Sequence, residues 1–144
     1  MKNGKLYVYP AKVTKGDLGD SIVEFRDVPE AATQVEKDEE LQTLAADALI
    51  TLFSDYMETD ELIPTASQPK KGEVLVELPL SFVAKIILHN AMLENRYRPV
   101  DIAKSMGIPT SEVARITNPK HKTKIDTIAA AIKAAGGRME LVSI

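Results

Sequence analysis

The sequence predicts an α+β fold in two domains, an α/β unit over residues 1–79 and a helical unit over 80–144 that closes on a strand. Three observations predict it. Period-two alternation, the mark of half-buried strands, falls in the first 80 residues and in the C-terminal tail. A long stripe at period 3.6 sits between the third and fourth strand candidates, giving the order β-β-β-α-β. Charge divides near the same place: residues 1–80 hold 8 Lys and Arg against 16 Asp and Glu, a net of −8, and residues 81–144 hold 10 against 5, a net of +5. An acidic half joined to a basic half points to partners of opposite sign, with a polyanion the natural partner of the basic half.

Residues 5–14 mix β-branched and aromatic side chains (Leu6, Tyr7, Val8, Tyr9, Val13) and predict the first strand. Lys15-Gly16-Asp17-Leu18-Gly19-Asp20 is turn chemistry, with two glycines able to take positive φ. Residues 21–26 alternate, Val23 and Phe25 against Glu24 and Arg26, as the hairpin partner, and Asp27-Val28-Pro29 stops it. A short extended piece is expected from Ala32 to Val35. The helix that follows is expected to start near Lys37, with Leu41, Leu44, Ala45, Ala48, Leu49, Leu52, Phe53 and Tyr56 on one face. Asp38, Glu39 and Glu40 would occupy its first turn, and Ala46, Ile50 and Met57 lean off its main stripe. A surface loop is expected over Thr65 to Gly72. Glu73 to Leu78 then alternates as a last strand, with Val74, Val76 and Leu78 on one side.

Ser81 is a suitable N-cap for the next helix, which is expected to reach about Asn95 and to be apolar on more than one side. Residues 99–118 then form a helix-turn-helix pattern. Pro99 suits a first turn, Ala103 permits close helix crossing, and Gly107 suits a left-handed helix end. Ile102, Met106, Ile108, Val113 and Ile116 share a core, and Asn118-Pro119 ends the second helix. An ordinary helical hairpin would share this pattern. The surroundings favour DNA: Thr110, Ser111, Glu112 and Arg115 face outward where a recognition helix meets base edges. Asn118 and the run Lys120-His121-Lys122-Thr123-Lys124 follow directly, suited to phosphates. Thr123 and Asp126 are spaced as the cap of a further helix with Ile125, Ile128, Ala129 and Ile132 on one face, ended by Gly136-Gly137. The tail, residues 138–144, alternates and needs a partner: either it joins the N-terminal sheet or, the favoured reading, it pairs with its copy in a homo-dimer or higher oligomer.

Several classes are set aside. No apolar run approaches the roughly 18 residues of a membrane span. Met1-Lys2-Asn3-Gly4-Lys5 holds no apolar leader, and there is no cysteine for a disulfide or thiolate site, so a cytoplasmic protein is expected. Two-metal nuclease chemistry needs converging carboxylates, one of them on the first strand, and residues 5–14 carry none. Asp38, Glu39, Glu40, Asp47, Asp55 and Glu58 lie along the long helix, mostly toward solvent. His89 and His121 lack neighbours at metal-ligand spacing. No catalytic residue, metal or cofactor is expected.

The chain as a whole resembles the HicB-family antitoxins of the helix-turn-helix type. The resemblance rests on the ordered series Asp27-Val28-Pro29-Glu30, Thr33-Gln34, Phe53-Ser54-Asp55-Tyr56-Met57-Glu58, Glu61-Leu62-Ile63-Pro64, Val76-Glu77-Leu78-Pro79-Leu80-Ser81 and Thr123-Lys124-Ile125-Asp126. It departs at Pro29-Glu30-Ala31, where many members carry Pro-Gly-Cys or similar. The resemblance implies a truncated ribonuclease-H-like N-terminal domain that neutralises HicA, a small basic toxin that cleaves messenger RNA with a histidine. It also implies a C-terminal domain that binds operator double-stranded DNA and represses its own operon. Candidate toxin contacts are then Asp27, Pro29, Glu30, Thr33 and Gln34 along the sheet edge, with Glu61 and Pro64 in the later loop. The alternative is a stand-alone repressor whose first domain senses a small ligand.

Overall fold

The computed structural model describes residues 4–144; Met1, Lys2 and Asn3, the start of the stretch expected to hold no apolar leader, lie outside them. The chain divides into two compact units. Unit 1 holds the residues through Asp55 together with Pro64–Leu78, and unit 2 holds Tyr56–Ile63 with Pro79–Ile144. The fold is α+β.

In unit 1, strands β1 (Tyr9–Lys15), β2 (Ser21–Phe25), β3 (Thr33–Val35) and β4 (Val74–Val76) form a sheet in the order β3-β2-β1-β4, antiparallel at every pairing. The register sets Ala11 opposite Phe25 and Val13 opposite Val23, and on the other side of β1 it sets Tyr9 opposite Val76. Because strand side chains alternate, Tyr9, Ala11, Val23, Phe25 and Val76 come to one face, and all are buried. Helix α1 (Leu41–Glu58) covers that face with Ala45, Leu49 and Phe53, spaced by four and fully buried. The Phe53 and Tyr9 rings meet at 5.3 Å between centroids, tilted by 52°. Burial of a ring of this size stabilises by about 1.5–3 kcal/mol.

Several local features differ from expectation. β1 begins at Tyr9, four residues late, and β4 is limited to three residues, with Val74 more than one-third exposed. Of the two turn glycines only Gly19 takes positive φ (84°), and the Gly16 amide closes the turn by donating to the Asp20 carbonyl at 2.9 Å. Pro29–Ala31 forms a 3-10 turn, its first position suited to a residue without an N–H. Asp38, Glu39 and Glu40 stand before α1, not in its first turn. Glu40 is the cap: its carbonyl accepts the Leu44 amide, and its carboxylate accepts the Thr43 amide and hydroxyl, each at 2.7 Å. Those bonds, the Thr43 hydroxyl first, hold the Glu40 carboxyl below the usual carboxylate range.

Unit 2 is built on α2 (Leu80–Glu94), α3 (Pro99–Met106), α4 (Thr110–Thr117) and α5 (Ile125–Ala134). Its core gathers Leu88 of α2, Ile102 and Ala103 of α3, Val113 and Ile116 of α4, and Ile128 and Ile132 of α5. Ser81 does not cap α2. Pro79 does, its carbonyl accepting the amides of Phe82 and Val83 at 3.0 Å, so that Ser81 falls inside the first turn. Helix α2 ends in a six-to-one turn, Tyr97 amide to Met92 carbonyl at 2.9 Å, with Arg96 left-handed at φ 59° where glycine is usual. Pro99 opens α3, and the Asp101 carboxylate accepts the Arg98 amide at 2.8 Å, which lowers the Asp101 pKa. Gly107 (φ 66°, ψ 37°) lets the chain turn so that the Ile108 amide reaches the Ala103 carbonyl at 3.0 Å. One further expectation is corrected. Lys124, not Thr123, is the N-cap of α5, because the Thr123 hydroxyl accepts from Lys85 instead. In the single chain residues 138–144 are extended without strand pairing, and Leu141, Val142 and Ile144 are exposed. No helix among the described residues is long and apolar enough to cross a membrane.

Candidate interaction surfaces

An open groove of about 540 Å³ runs in unit 1 between α1 and the segment 30–34. Its floor includes Ala31, Leu44, Ala48 and Leu52, and its rim carries Glu30, Glu39, Asp47 and Asp55 with no lysine or arginine among the lining residues. The chain builds it from two simple causes. The 3-10 turn brings Glu30 up beside β3, an edge strand, and the i, i+4, i+8 spacing puts Asp47, Thr51 and Asp55 on one face of α1. Carboxylates around an apolar floor suit a basic, partly apolar protein surface.

The toxin-contact candidates divide here. Glu30, Thr33 and Gln34 line the groove. Pro29 is exposed at the start of the 3-10 turn. Asp27 is engaged within unit 1, its carboxylate accepting the Ser67 amide at 2.8 Å and the Ser67 hydroxyl at 2.5 Å. The Pro64 carbonyl accepts the Tyr9 hydroxyl at 2.7 Å, and burial pushes the Tyr9 phenol well above its ordinary pKa. Arg26 joins this scaffold through Glu73, at 2.9 Å, and through the Gln68 carbonyl. Asp27 and Pro64 thus fasten the 64–73 segment. Glu61 lies in unit 2, where its carbonyl is 2.6 Å from His89 Nε2 and its carboxylate accepts the Thr59 hydroxyl. Beside it, Ile63 is clasped by buried Asn90, with amide to Oδ1 and Nδ2 to carbonyl both at 2.9 Å. The α1 contributors Asp47 and Asp55 were legible only as solvent-facing carboxylates, and Thr51 carried no signal in the sequence.

The second surface is in unit 2. Thr110, Ser111, Glu112, Arg115 and Asn118 are exposed along α4 and at its end, while Val113 and Ile116 are buried beneath. Arg115 and Glu112 form a loose pair at 4.0 Å, both well exposed. Lys120, His121, Lys122 and Lys124 are exposed just beyond, the Lys120 amide donating to Asn118 Oδ1 at 2.9 Å. A short helix with small polar side chains at its start, followed by a cationic loop, can place a helix N-terminus in a groove and lysines on phosphates. Among the described residues, no group of three or more His, Cys, Asp or Glu is placed to hold a metal ion.

With this geometry in hand, relatives place the chain. The family of HicB-like antitoxins of bacterial toxin-antitoxin systems matches residues 8–87. The chain is 43% identical to Antitoxin HicB 2 of Photorhabdus laumondii over 136 residues, covering 94% of this chain and 96% of the relative. It is 39% identical to Antitoxin HicB of Escherichia coli K12 (94% and 99% covered) and 26% identical to Antitoxin HicB of Pseudomonas fluorescens (98% and 97%). The class so defined is an antitoxin of a bacterial toxin-antitoxin system, a family of non-enzymatic proteins. The chain belongs to the HicB-like family of those antitoxins.

Proposed function

We propose that this antitoxin silences a HicA-like, mRNA-cleaving toxin by covering it with unit 1, and represses its own operon by reading operator DNA with α4. The observation that carries this reading is the separation of charge by unit: the groove rimmed by Glu30, Glu39, Asp47 and Asp55 belongs to one, and the exposed run Lys120 to Lys124 to the other. A basic RNA-binding toxin is attracted to the first, and a polyanion to the second. Inhibition is by occlusion, so the antitoxin needs no chemistry of its own. Unit 1 serves as a truncated ribonuclease-H-like scaffold, a comparison supported by its β-β-β-α-β order. Membership in an antitoxin family favours this over a stand-alone ligand-sensing repressor.

On the DNA side, Thr110, Ser111, Glu112 and Arg115 face base edges, and Asn118, Lys120, Lys122 and Lys124 face phosphates. Two copies bind together, and the exposed apolar tail with Leu141, Val142 and Ile144 pairs with its copy as a strand. Co-purification with the product of a neighbouring gene encoding a small basic protein, followed by a gel shift on the upstream DNA, tests both halves. A stable complex and a retarded band are expected; a chain that binds neither overturns the proposal.

A further inference from the structure

Lys85 of α2 is almost fully buried, at 3% exposure, yet its ammonium faces no carboxylate in any contact among the described residues. It sits in a cage of oxygens instead: the carbonyls of Asn118 and His121, each at 2.7 Å, the Thr123 hydroxyl at 2.9 Å, and the Arg115 carbonyl at 3.3 Å. An ammonium has three donors, and here three near acceptors and one farther acceptor converge on it. Burial draws its pKa below the ordinary lysine value, as expected where charge is desolvated without a counter-ion. The carbonyls come from the last turn of α4 and the loop after it, where helix carbonyls carry partial negative charge; those of Arg115 and Asn118 also accept the Asn118 and His121 amides, at 3.2 and 3.1 Å.

We infer that Lys85 is a positioning residue for DNA binding: from inside the unit it fixes the 118–124 loop, and so the lysines that the loop displays. The inference rests on the operator-binding reading above. Asn118, His121 and Thr123 alternate along the sequence with the outward side chains Lys120, Lys122 and Lys124, so one internal cation sets the shape of an external cationic row. A loop already ordered loses less freedom on binding.

The test uses the full chain with Lys85→Met, which keeps the aliphatic length and removes the donors, and Lys133→Met, which removes an exposed lysine of α5. Hydrogen exchange at the amides of Asn118, Lys120 and His121 is expected to quicken about tenfold in Lys85→Met, with α3 amides unchanged. Affinity for the upstream DNA is expected to fall about tenfold. Lys85 is too buried to touch a phosphate, so the salt dependence discriminates: the slope of log K against log salt should shallow by about one to two units through the displaced lysines, at ~0.9 per phosphate. Unchanged exchange, a loss of affinity at constant slope, or equal effects from Lys133→Met would overturn the inference. Should Lys85→Met not fold, Thr123→Val removes one acceptor, and exchange at the same amides should quicken about threefold; no change there overturns it as well. If the natural chain binds no DNA, the operator reading fails, while the exchange measurement still decides whether Lys85 orders the loop.

Discussion

Replacing Asn90 by Leu should cost unit 2 more stability than any change of comparable volume on its surface. Asn90 is 4% exposed and Ile63, which it clasps, is 2% exposed. The side chain satisfies both the amide and the carbonyl of Ile63 at 2.9 Å, as a neighbouring strand would. Leucine keeps the volume and removes both partners. Each backbone group left dry costs about 1–3 kcal/mol, so the pair costs roughly 2–6 kcal/mol. At a central value of about 4 kcal/mol, the midpoint of thermal unfolding should fall by roughly 8–16 °C for a chain of this size. Urea unfolding followed by circular dichroism, with the thermal midpoint beside it, measures the loss. Asn90→Asp should be less damaging near pH 4, where a protonated carboxyl can still both donate and accept. A Leu variant within about 0.5 kcal/mol of the natural chain would refute the reasoning, since it would mean that Ile63 finds other partners.

Arg115→Ala should cost operator binding about 1–3 kcal/mol and relax preference at one base position, whereas Lys122→Ala should weaken binding to every sequence and shallow its salt dependence; gel shifts on a panel of single-base variants separate the two. Arg96→Gly should stabilise by about 1 kcal/mol, because the left-handed backbone at φ 59° no longer opposes a Cβ; chemical denaturation reads it directly. The Glu73 carboxyl is held below its ordinary pKa chiefly by the hydrogen bond from Arg26. A depressed folded-state pKa means that the contact stabilises above the ordinary carboxylate range and is lost as pH falls through the lowered value. Carboxyl titration by NMR should therefore show Glu73 titrating higher in Arg26→Gln.

Much of the fold was legible because its signals are local. Gly107 takes the left-handed backbone that a sharp helix-to-helix turn requires, and Val113 and Ile116 return to the core at the spacing the period demands. Val23 and Phe25 are buried in alternation as their strand pattern required. The misreadings concern ends and long-range partners. Ser81 and Thr123 both have the chemistry of a cap, and nothing local reveals that a proline carbonyl or a lysine 38 residues away in sequence takes precedence. The acidic groove was half legible: Glu30, Thr33 and Gln34 could be picked from the sheet edge, but Asp47 and Asp55 looked solvent-facing until α1 was set beside β3. Asp27 and Pro64, also picked as contact candidates, have polar atoms that are engaged in holding the 64–73 segment in place. A lysine buried without a carboxylate has no sequence signature at all.

The most direct test of occlusion by the acidic groove is an RNA-cleavage assay of the cognate toxin, titrated with the natural antitoxin and with an Asp47→Lys, Asp55→Lys variant. If the groove covers the toxin, the natural chain abolishes cleavage near equimolar addition, and the charge-reversed chain, with its fold and DNA binding intact, requires at least about tenfold more. Equal inhibition by the two chains would contradict the central claim and move the toxin to another face of the antitoxin.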